Sequence, residues 1–242
     1  MQTADESRAE VFLTLYKQLE GILEKRYAGK DGAANVVAAY LNDADSEPLR
    51  ADIDLCRRIR NILSHNVEDT GEPVVEPSAG TIGRMEAILE HVKRPVMAIN
   101  YGTPADKILF AHPNDLALNV MRHMVKNGFS HVPVAVQGKL VGVFSSGSLM
   151  LFAARKGLSQ VRDELRIGEM KDCIGFGDTR SEKFMFLDKD ATLPSVRRAF
   201  EMRRERDHRL AVVFLTEDGT VDTPVCALLT SWDVLRDDFA AR

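Results

Sequence analysis

The sequence predicts an α+β protein in which a four-helix bundle precedes two copies of a strand–helix–strand–strand–helix unit. Three observations support this fold class. Hydrophobic residues make up 45% of the chain and charged residues 28%, which is typical of soluble globular proteins. The first 92 residues carry apolar side chains at helical spacing. From about residue 96 the pattern changes, and a repeat of roughly 75–85 residues, too long for a solenoid unit, fits two related subdomains.

The bundle is predicted to span residues 1–94 and to contain four helices. The first follows Phe12, Leu13, Tyr16, Leu19 and Leu23; a weaker second covers 34–41; the third follows Leu55, Ile59, Ile62 and Leu63; the fourth runs from Ile82 to Val92. Ser78 is a candidate N-cap of the fourth helix. The stretch "GEPVVEPSAG" (71–80) separates the last two helices, since proline and glycine interrupt regular structure.

The first repeat is predicted to span residues 95–158. It begins with an apolar strand at 107–110, and a helix from Asp115 then ends at Gly128, a typical C-cap residue. The strand "HVPVAV" (131–136), a turn at Gln137-Gly138, a strand at 140–144 and a helix from Ser148 complete the unit.

The second repeat, residues 159–242, follows the same order. Its predicted elements are a strand at 184–187, a helix from Thr192 to about Arg206, the strand "RLAVVFL" (209–215), a turn at Asp218-Gly219, the strand "VCALL" (225–229) and a helix from Trp232. Aligning the repeats places Leu116 on Leu193, His131 on Arg209 and Ser145 on Thr230. Trp232 is expected to pack against the protein.

The stretches "GFSHVPVAVQGKLVGVFSSGSLM" (128–150), "RLAVVFLTEDG" and "CALLTSWDVL" resemble the cystathionine-beta-synthase (CBS) domain. The resemblance covers residues from about 95 to 240. It implies a tandem CBS pair, or Bateman module, whose cleft binds a regulatory adenine nucleotide (AMP, ADP or ATP) or S-adenosylmethionine. It implies no other cofactor.

Thr230 and Asp233 are the strongest ligand candidates, because one carboxylate can accept hydrogen bonds from both hydroxyls of a ribose. A hydroxyl at a helix N-terminus can help to hold a phosphate. In the first repeat, Ser145 keeps the hydroxyl but Ser148 replaces the aspartate, so we expect one good site and one weak or empty site. The alternative is that Thr230 and Asp233 only cap the last helix.

Arg209 and His131 are candidates for neutralising the phosphate of the ligand, because they occupy the same aligned position before the central strands. The alternative for Arg209 is a solvated face. Arg203, Arg204 and Arg206 are expected to stabilise the end of the preceding helix.

The stretch "LCRRIRNILSHN" (55–66) resembles the R-N-x-x-x-H stretch of the HEPN helical domain. The resemblance implies that Arg60, Asn61 and His65 cleave RNA without metal at a dimer interface, as an alternative function. The other interpretation is an ordinary bundle helix whose histidine caps carbonyls. Residues 1–92 hold 10 Lys and Arg against 17 Asp and Glu, a net charge of −7 that disfavours RNA and DNA.

The leading prediction is a non-enzymatic sensor that couples ligand binding to the helical domain, and we expect a homodimer. No metal site is predicted, because the six histidines and three cysteines lack metal-ligand spacing. The scattered cysteines and the absence of a leader or a long apolar run favour a cytoplasmic protein without a membrane partner.

Overall fold

The computed structural model describes residues 7–28, 35–65, 75–177, 182–202 and 209–235. The chain divides into two compact units, Met1–Val96 and Met97–Arg242. The first unit is helical in its described residues, and the second contains both helices and sheets, so the predicted α+β class is confirmed.

The helical unit contains the predicted helices, which surround one apolar core that includes Phe12, Leu19 and Tyr40. Their bounds are α1 (Arg8–Arg26), α2 (Val36–Leu41), α3 (Arg50–His65) and α4 (Ala79–Lys93). Ser78 caps α4 as predicted, since its hydroxyl accepts a hydrogen bond from the Thr81 amide at 3.2 Å.

The predicted apolar face of α3 is wrong in part. Its buried side chains are Ile53, Cys56 and Leu63, whereas Leu55 is 40% and Ile62 42% exposed. The apolar positions on α3 form two adjacent stripes, and the packing of α1 and α4 decides which of them is buried.

The buried residue Asp45 contacts side chains from three helices of this unit. Asp45 is 1% exposed, and its carboxylate accepts hydrogen bonds from Arg26 at 2.8 Å and from the Tyr40 hydroxyl at 3.1 Å. His91 Nε2 lies 2.8 Å from the Asp45 backbone oxygen. Burial and the neighbouring Asp45 raise the pKa of Tyr40 above its ordinary value. Because the charge is buried, its partners are needed to offset its desolvation.

The second unit carries both repeats. Its helices are α5 (Ala117–Asn127), α6 (Ser146–Lys156), α7 (Lys171–Ile174), α8 (Leu193–Glu201) and α9 (Ser231–Leu235). Its strands are β1 (Thr103–Pro104), β2 (His131–Val136), β3 (Lys139–Ser145), β4 (Glu182–Asp188), β5 (Arg209–Thr216) and β6 (Val225–Leu229). The strand predicted at 107–110 is instead extended chain after a 3-10 turn (Ala105–Lys107), and only Ala111 bridges β2, in parallel orientation.

The two repeats share a sheet. Strands β2 and β3 form an antiparallel hairpin, and the other sheet has the order β1-β6-β5-β4. Within it, β4 runs parallel to β5, while β1, from the first repeat, pairs antiparallel with β6 of the second. Thr103 lies opposite Leu228. The first repeat therefore supplies an edge strand to the sheet of the second.

The hairpins of the two repeats correspond residue by residue. Both carry a register irregularity at the same place, between Val134 and Ala135 in β2 and between Leu215 and Thr216 in β5. The turn between β2 and β3 uses Gln137 and Gly138 with φ of 52° and 79°, as a two-residue hairpin turn requires. The predicted turn is confirmed.

This correspondence changes the predicted alignment of the strand starts. His131 lies opposite Ser145 in the first hairpin. In the second, Val213 lies opposite Leu229, so continuing the register places Val212 opposite Thr230. Val212 and not Arg209 is therefore the counterpart of His131. The sequence alignment matched the beginnings of β2 and β5, whereas the register is set from the turn.

The predicted alignment of the helix starts is also wrong by one position. Leu116 precedes α5 as its N-cap, and Thr192 holds the same place before α8. Leu116 therefore corresponds to Thr192 and not to Leu193. The Thr192 hydroxyl accepts from the Ser195 amide at 3.4 Å, a cap that Leu116 cannot provide.

Candidate ligand-binding cleft

A small, open cleft with a volume of about 50 Å³ lies where the two repeats meet. Its lining is mainly apolar and comes from both repeats: Thr103, Lys107, Ile108, Leu109, Phe129, His131, Pro133 and Leu228. Apolar walls with a few polar groups are typical of small-molecule sites, and such walls suit a planar base.

The predicted Thr230–Asp233 pair stands close to this cleft in the chain, because Leu228 lines the cleft and Thr230 follows two residues later. Gly102 allows the chain of the first repeat to approach here, since a Cβ at this position would lie 2.9 Å from the Leu228 oxygen. The end of β6 and the segment before β1 are thus in close contact.

Thr230 and Asp233 bind each other. Asp233 Oδ2 accepts hydrogen bonds from the Thr230 amide at 2.7 Å and from the Thr230 hydroxyl at 2.8 Å. Within the described part of the chain, Oδ1 makes no hydrogen bond. The carboxylate therefore stabilises the start of α9 with one oxygen, and this cap does not engage the other oxygen; the ligand role of Asp233 stays a prediction.

The same local geometry occurs in the first repeat without the charge. Ser148 Oγ accepts from the Ser145 amide at 2.9 Å, as Asp233 does from Thr230, and it donates to the Ser145 carbonyl at 2.8 Å. Ser148 is 4% exposed. Ser148 therefore reproduces the cap but offers no carboxylate to a ribose.

A carboxylate nevertheless lies here, and it comes from the second repeat. Glu182, the first residue of β4, accepts a hydrogen bond from the Ser145 hydroxyl at 2.9 Å. Its other oxygen lies 3.3 Å from His131 Nε2. Arg209 is the neighbour of Glu182 in the parallel pairing of β4 and β5.

Two of the five predicted ligand residues, Ser145 and His131, thus contact a residue that the sequence analysis missed, and a third, Arg209, is its register neighbour in the adjacent strand. Its predicted strand began at Phe184, two residues after Glu182. Nothing local in the sequence marks Glu182, because its contacts depend on the pairing of the two repeats.

The tautomer of His131 follows from its contacts. Its Nε2 faces the carboxylate of Glu182 and its Nδ1 lies 2.8 Å from the Ser130 hydroxyl. With a proton on Nε2, the neutral ring donates to Glu182 and accepts from Ser130. The side chain of His131 is 14% exposed.

Arg209 is exposed at the first position of β5. Arg203, Arg204 and Arg206 lie outside the described residues. The assignment of Arg209 to a ligand phosphate stays a prediction.

In the helical unit, Arg60 has structural contacts. Its guanidinium pairs with Glu20 at 3.0 Å and lies over the Tyr16 ring, 5.5 Å from the centroid. It also donates to Asn61 at 3.4 Å. Burial and Glu20 raise the pKa of Tyr16 to about 12, against a smaller lowering by Arg60. These contacts join α3 to α1. The side chain of His65 lies outside the described residues. The assignment of Arg60, Asn61 and His65 to RNA cleavage stays a prediction.

Among the described residues, no three His, Cys, Asp or Glu side chains come together as metal ligands would. No helix in the described ranges has the length and apolar character needed to cross a membrane.

Three solved structures illustrate what this chain is similar to. CbpB in complex with c-di-AMP is 20% identical, with 60% of this chain and 85% of that chain covered and a TM-score of 0.43. A CBS domain pair in complex with 5′-methylthioadenosine and S-adenosyl-L-methionine is 17% identical; the match covers 62% of this chain and 100% of that chain, with a TM-score of 0.44. A protein with CBS domains from Burkholderia ambifaria is 14% identical; the match covers 62% of this chain and 96% of that chain, with a TM-score of 0.45.

The family match is more direct than these structural likenesses. A comparison with curated proteins found no match. The family model described as CBS domain matches residues 93–155. This range includes β1, α5, the β2–β3 hairpin and nearly all of α6. Residues 93–155 therefore form a CBS domain.

Proposed function

We propose that the second unit is a tandem CBS module that binds an adenine nucleotide or S-adenosylmethionine and signals this binding to the helical unit. One observation carries the proposal. Asp233, five residues after the cleft-lining Leu228, is held in the first turn of α9 by two hydrogen bonds to one of its oxygens, and the other oxygen makes no hydrogen bond to the described residues. A carboxylate in this position can accept from the two hydroxyls of a ribose.

Two other features of the second unit suit the remaining parts of such a ligand. The apolar lining of the cleft suits the base. Arg209, exposed at the start of β5, is our candidate for the phosphate in the second repeat. A guanidinium binds phosphate through charge-assisted hydrogen bonds.

A thermal-shift panel tests the proposal. It includes AMP, ADP, ATP, S-adenosylmethionine, 5′-methylthioadenosine and c-di-AMP. The last three are the compounds bound in two of the similar structures. A ligand at a hundred times its Kd adds about 2.7 kcal/mol to the free energy of unfolding. We expect at least one compound to raise the melting temperature; no shift with any compound at millimolar concentration contradicts the proposal.

Coupling to the helical unit requires a separate measurement. Hydrogen exchange of the full chain, with and without the compound that binds, should show changed protection in α1–α4 as well as around the cleft. Changes confined to residues 97–235 would contradict the coupling and leave the binding proposal in place.

We further propose that the protein is a homodimer. The second unit exposes large apolar side chains on its helices, with Val125 77%, Met150 73% and Trp232 77% exposed. The expectation that Trp232 packs against the protein is therefore wrong, because α9 turns this side chain outward. Light scattering should give twice the mass of 26.9 kDa, and Met150→Glu should shift it towards the monomer; a wild-type monomer at micromolar concentration contradicts the proposal.

A further inference from the structure

A second cavity lies within the first repeat, between the extended chain that precedes α5 and the first turns of that helix. Its volume is about 240 Å³, and it is lined by residues 109–111, Asp115, Leu116, Asn119, Val120 and His123. Leu109 is the one lining residue that this α5 cavity shares with the ligand cleft. We propose that the α5 cavity binds a small arylalkylamine, whose ammonium group pairs with Asp115 and whose ring packs beside Phe110. This inference does not depend on the proposed function, because it concerns another ligand at another place.

The walls of the α5 cavity are mostly apolar. Phe110, 39% exposed, stands on the extended side, and the half-buried Leu116 and Val120 stand four residues apart on the helical side, where one lies a turn above the other. An exposed aromatic ring favours an aromatic partner, in an offset or edge-to-face arrangement. The volume lies just below the range of about 300–1,000 Å³ for drug-sized ligands, which suits a smaller molecule.

Asp115 supplies a charge that is not neutralised. Its Oδ2 accepts a hydrogen bond from the His112 amide at 2.7 Å, whereas Oδ1 makes no hydrogen bond to the described residues. The carboxylate also has no ion pair within the described ranges, and no further interaction of Asp115 exists beyond them. An ammonium group at Oδ1 would gain a charge-assisted hydrogen bond, which is stronger than one between neutral groups.

The other polar groups agree with a cationic ligand. Asp115 is the one carboxylate among the residues that line the α5 cavity, and neither lysine nor arginine lines it. Two neighbouring arginines are engaged elsewhere, since Arg122 donates to Asn119 Oδ1 at 2.8 Å and Arg166 donates to the Asn114 backbone oxygen. An anionic ligand would therefore meet a carboxylate without a lysine or arginine to offset it.

Both walls are fixed by backbone hydrogen bonds before any ligand enters. On the extended side, Ala111 donates to the Pro133 oxygen and accepts from the Ala135 amide, each at 2.9 Å. On the helical side, the Ala117 amide donates to the Leu165 oxygen at 2.8 Å. A site with fixed walls loses little conformational entropy on binding, which favours affinity.

Calorimetry of the full chain with phenethylamine tests this inference. Phenethylamine should bind at least about tenfold more tightly than 2-phenylethanol, which has the same ring without the charge. It should also bind at least about threefold more tightly than Nα-acetyl-lysine amide, which has the ammonium group without the ring. Asp115→Asn should remove the preference over 2-phenylethanol, because asparagine can still accept from the His112 amide but carries no charge. Asp106→Asn, which changes an exposed carboxylate outside the cavity, should alter the Kd of phenethylamine less than about twofold.

Methyl NMR of the wild-type chain locates the amine without any variant. Leu116 and Val120 line the α5 cavity and not the cleft, whereas Leu228 lines the cleft. Phenethylamine should therefore shift the methyl signals of Leu116 and Val120 and leave those of Leu228 unchanged.

Several outcomes would overturn the inference. They are the absence of phenethylamine binding at millimolar concentration, equal binding of phenethylamine and 2-phenylethanol, and a preference that Asp115→Asn leaves unchanged. Methyl shifts at Leu228 alone would place the amine in the cleft, and tighter binding of Nα-acetyl-lysine amide would favour a protein partner instead; each also overturns it. None of these results bears on nucleotide binding, which the thermal-shift panel tests separately.

Discussion

Replacing Asp233 by asparagine removes the charge of the proposed ribose acceptor while preserving most of its contacts. The carbonyl oxygen of asparagine can still accept from the Thr230 amide and hydroxyl, which donate to Oδ2 at 2.7 and 2.8 Å. The start of α9 should therefore stay intact. Asp233→Ala also loses these bonds, which costs about 0.5–2 kcal/mol of unfolding free energy.

The expected loss of affinity follows from the hydrogen bonds to the charged oxygen. A hydrogen bond to a charged group contributes about 1.5–3 kcal/mol. Asp233→Asn should therefore raise the Kd of the nucleotide roughly 10- to 150-fold in calorimetry. Asp222→Ala, which removes an exposed carboxylate of the same repeat, should change the Kd less than about twofold.

Ser148→Ala supplies the comparison with the first repeat. It removes the local cap but no charged group, so it should lower stability and leave nucleotide affinity nearly unchanged. If Asp233→Asn binds as tightly as the wild type, the assignment of the ribose to Asp233 is refuted. Equal losses in Asp233→Asn and Ser148→Ala would mean that the two repeats have been assigned the wrong way round.

The remaining predictions concern the helical unit and the cysteines. Asp45→Ala should lower the free energy of unfolding by about 3–5 kcal/mol in urea titrations, because it removes the ion-pair partner of the half-buried Arg26 guanidinium and the acceptor of the Tyr40 hydroxyl; a loss below about 1 kcal/mol contradicts this. The wild type should not cleave single-stranded RNA in EDTA; cleavage that disappears in both Arg60→Ala and His65→Ala would instead establish the ribonuclease alternative. Burial raises the pKa of Cys56 to about 11, and burial together with Glu217 also raises the pKa of Cys226, so exposure decides which thiol reacts. At pH 8 iodoacetamide should modify the half-buried Cys226 before the buried Cys56, as peptide mass spectrometry would show; faster modification of Cys56 would contradict its burial.

Local signals in the sequence were sufficient for much of the fold. The Ser78 cap and the Gln137-Gly138 turn each depend on backbone preferences within a few residues. The T-x-x-D pair was recognisable for the same reason, because Thr230 and Asp233 contact each other three residues apart. These features could be read from the chain because the interacting groups are neighbours in sequence.

Tertiary structure decided what depends on distant pairing. The choice between two apolar stripes on α3 was made by packing, which buried Ile53 and left Leu55 exposed. Strand β1 pairs with β6 more than a hundred residues later, and Glu182 reaches Ser145 across 37 positions. Sequence periodicity carries no information on such contacts, since it reports which face of an element is apolar but not which element that face meets. The carboxylate among the predicted ligand residues was therefore visible only in the folded chain.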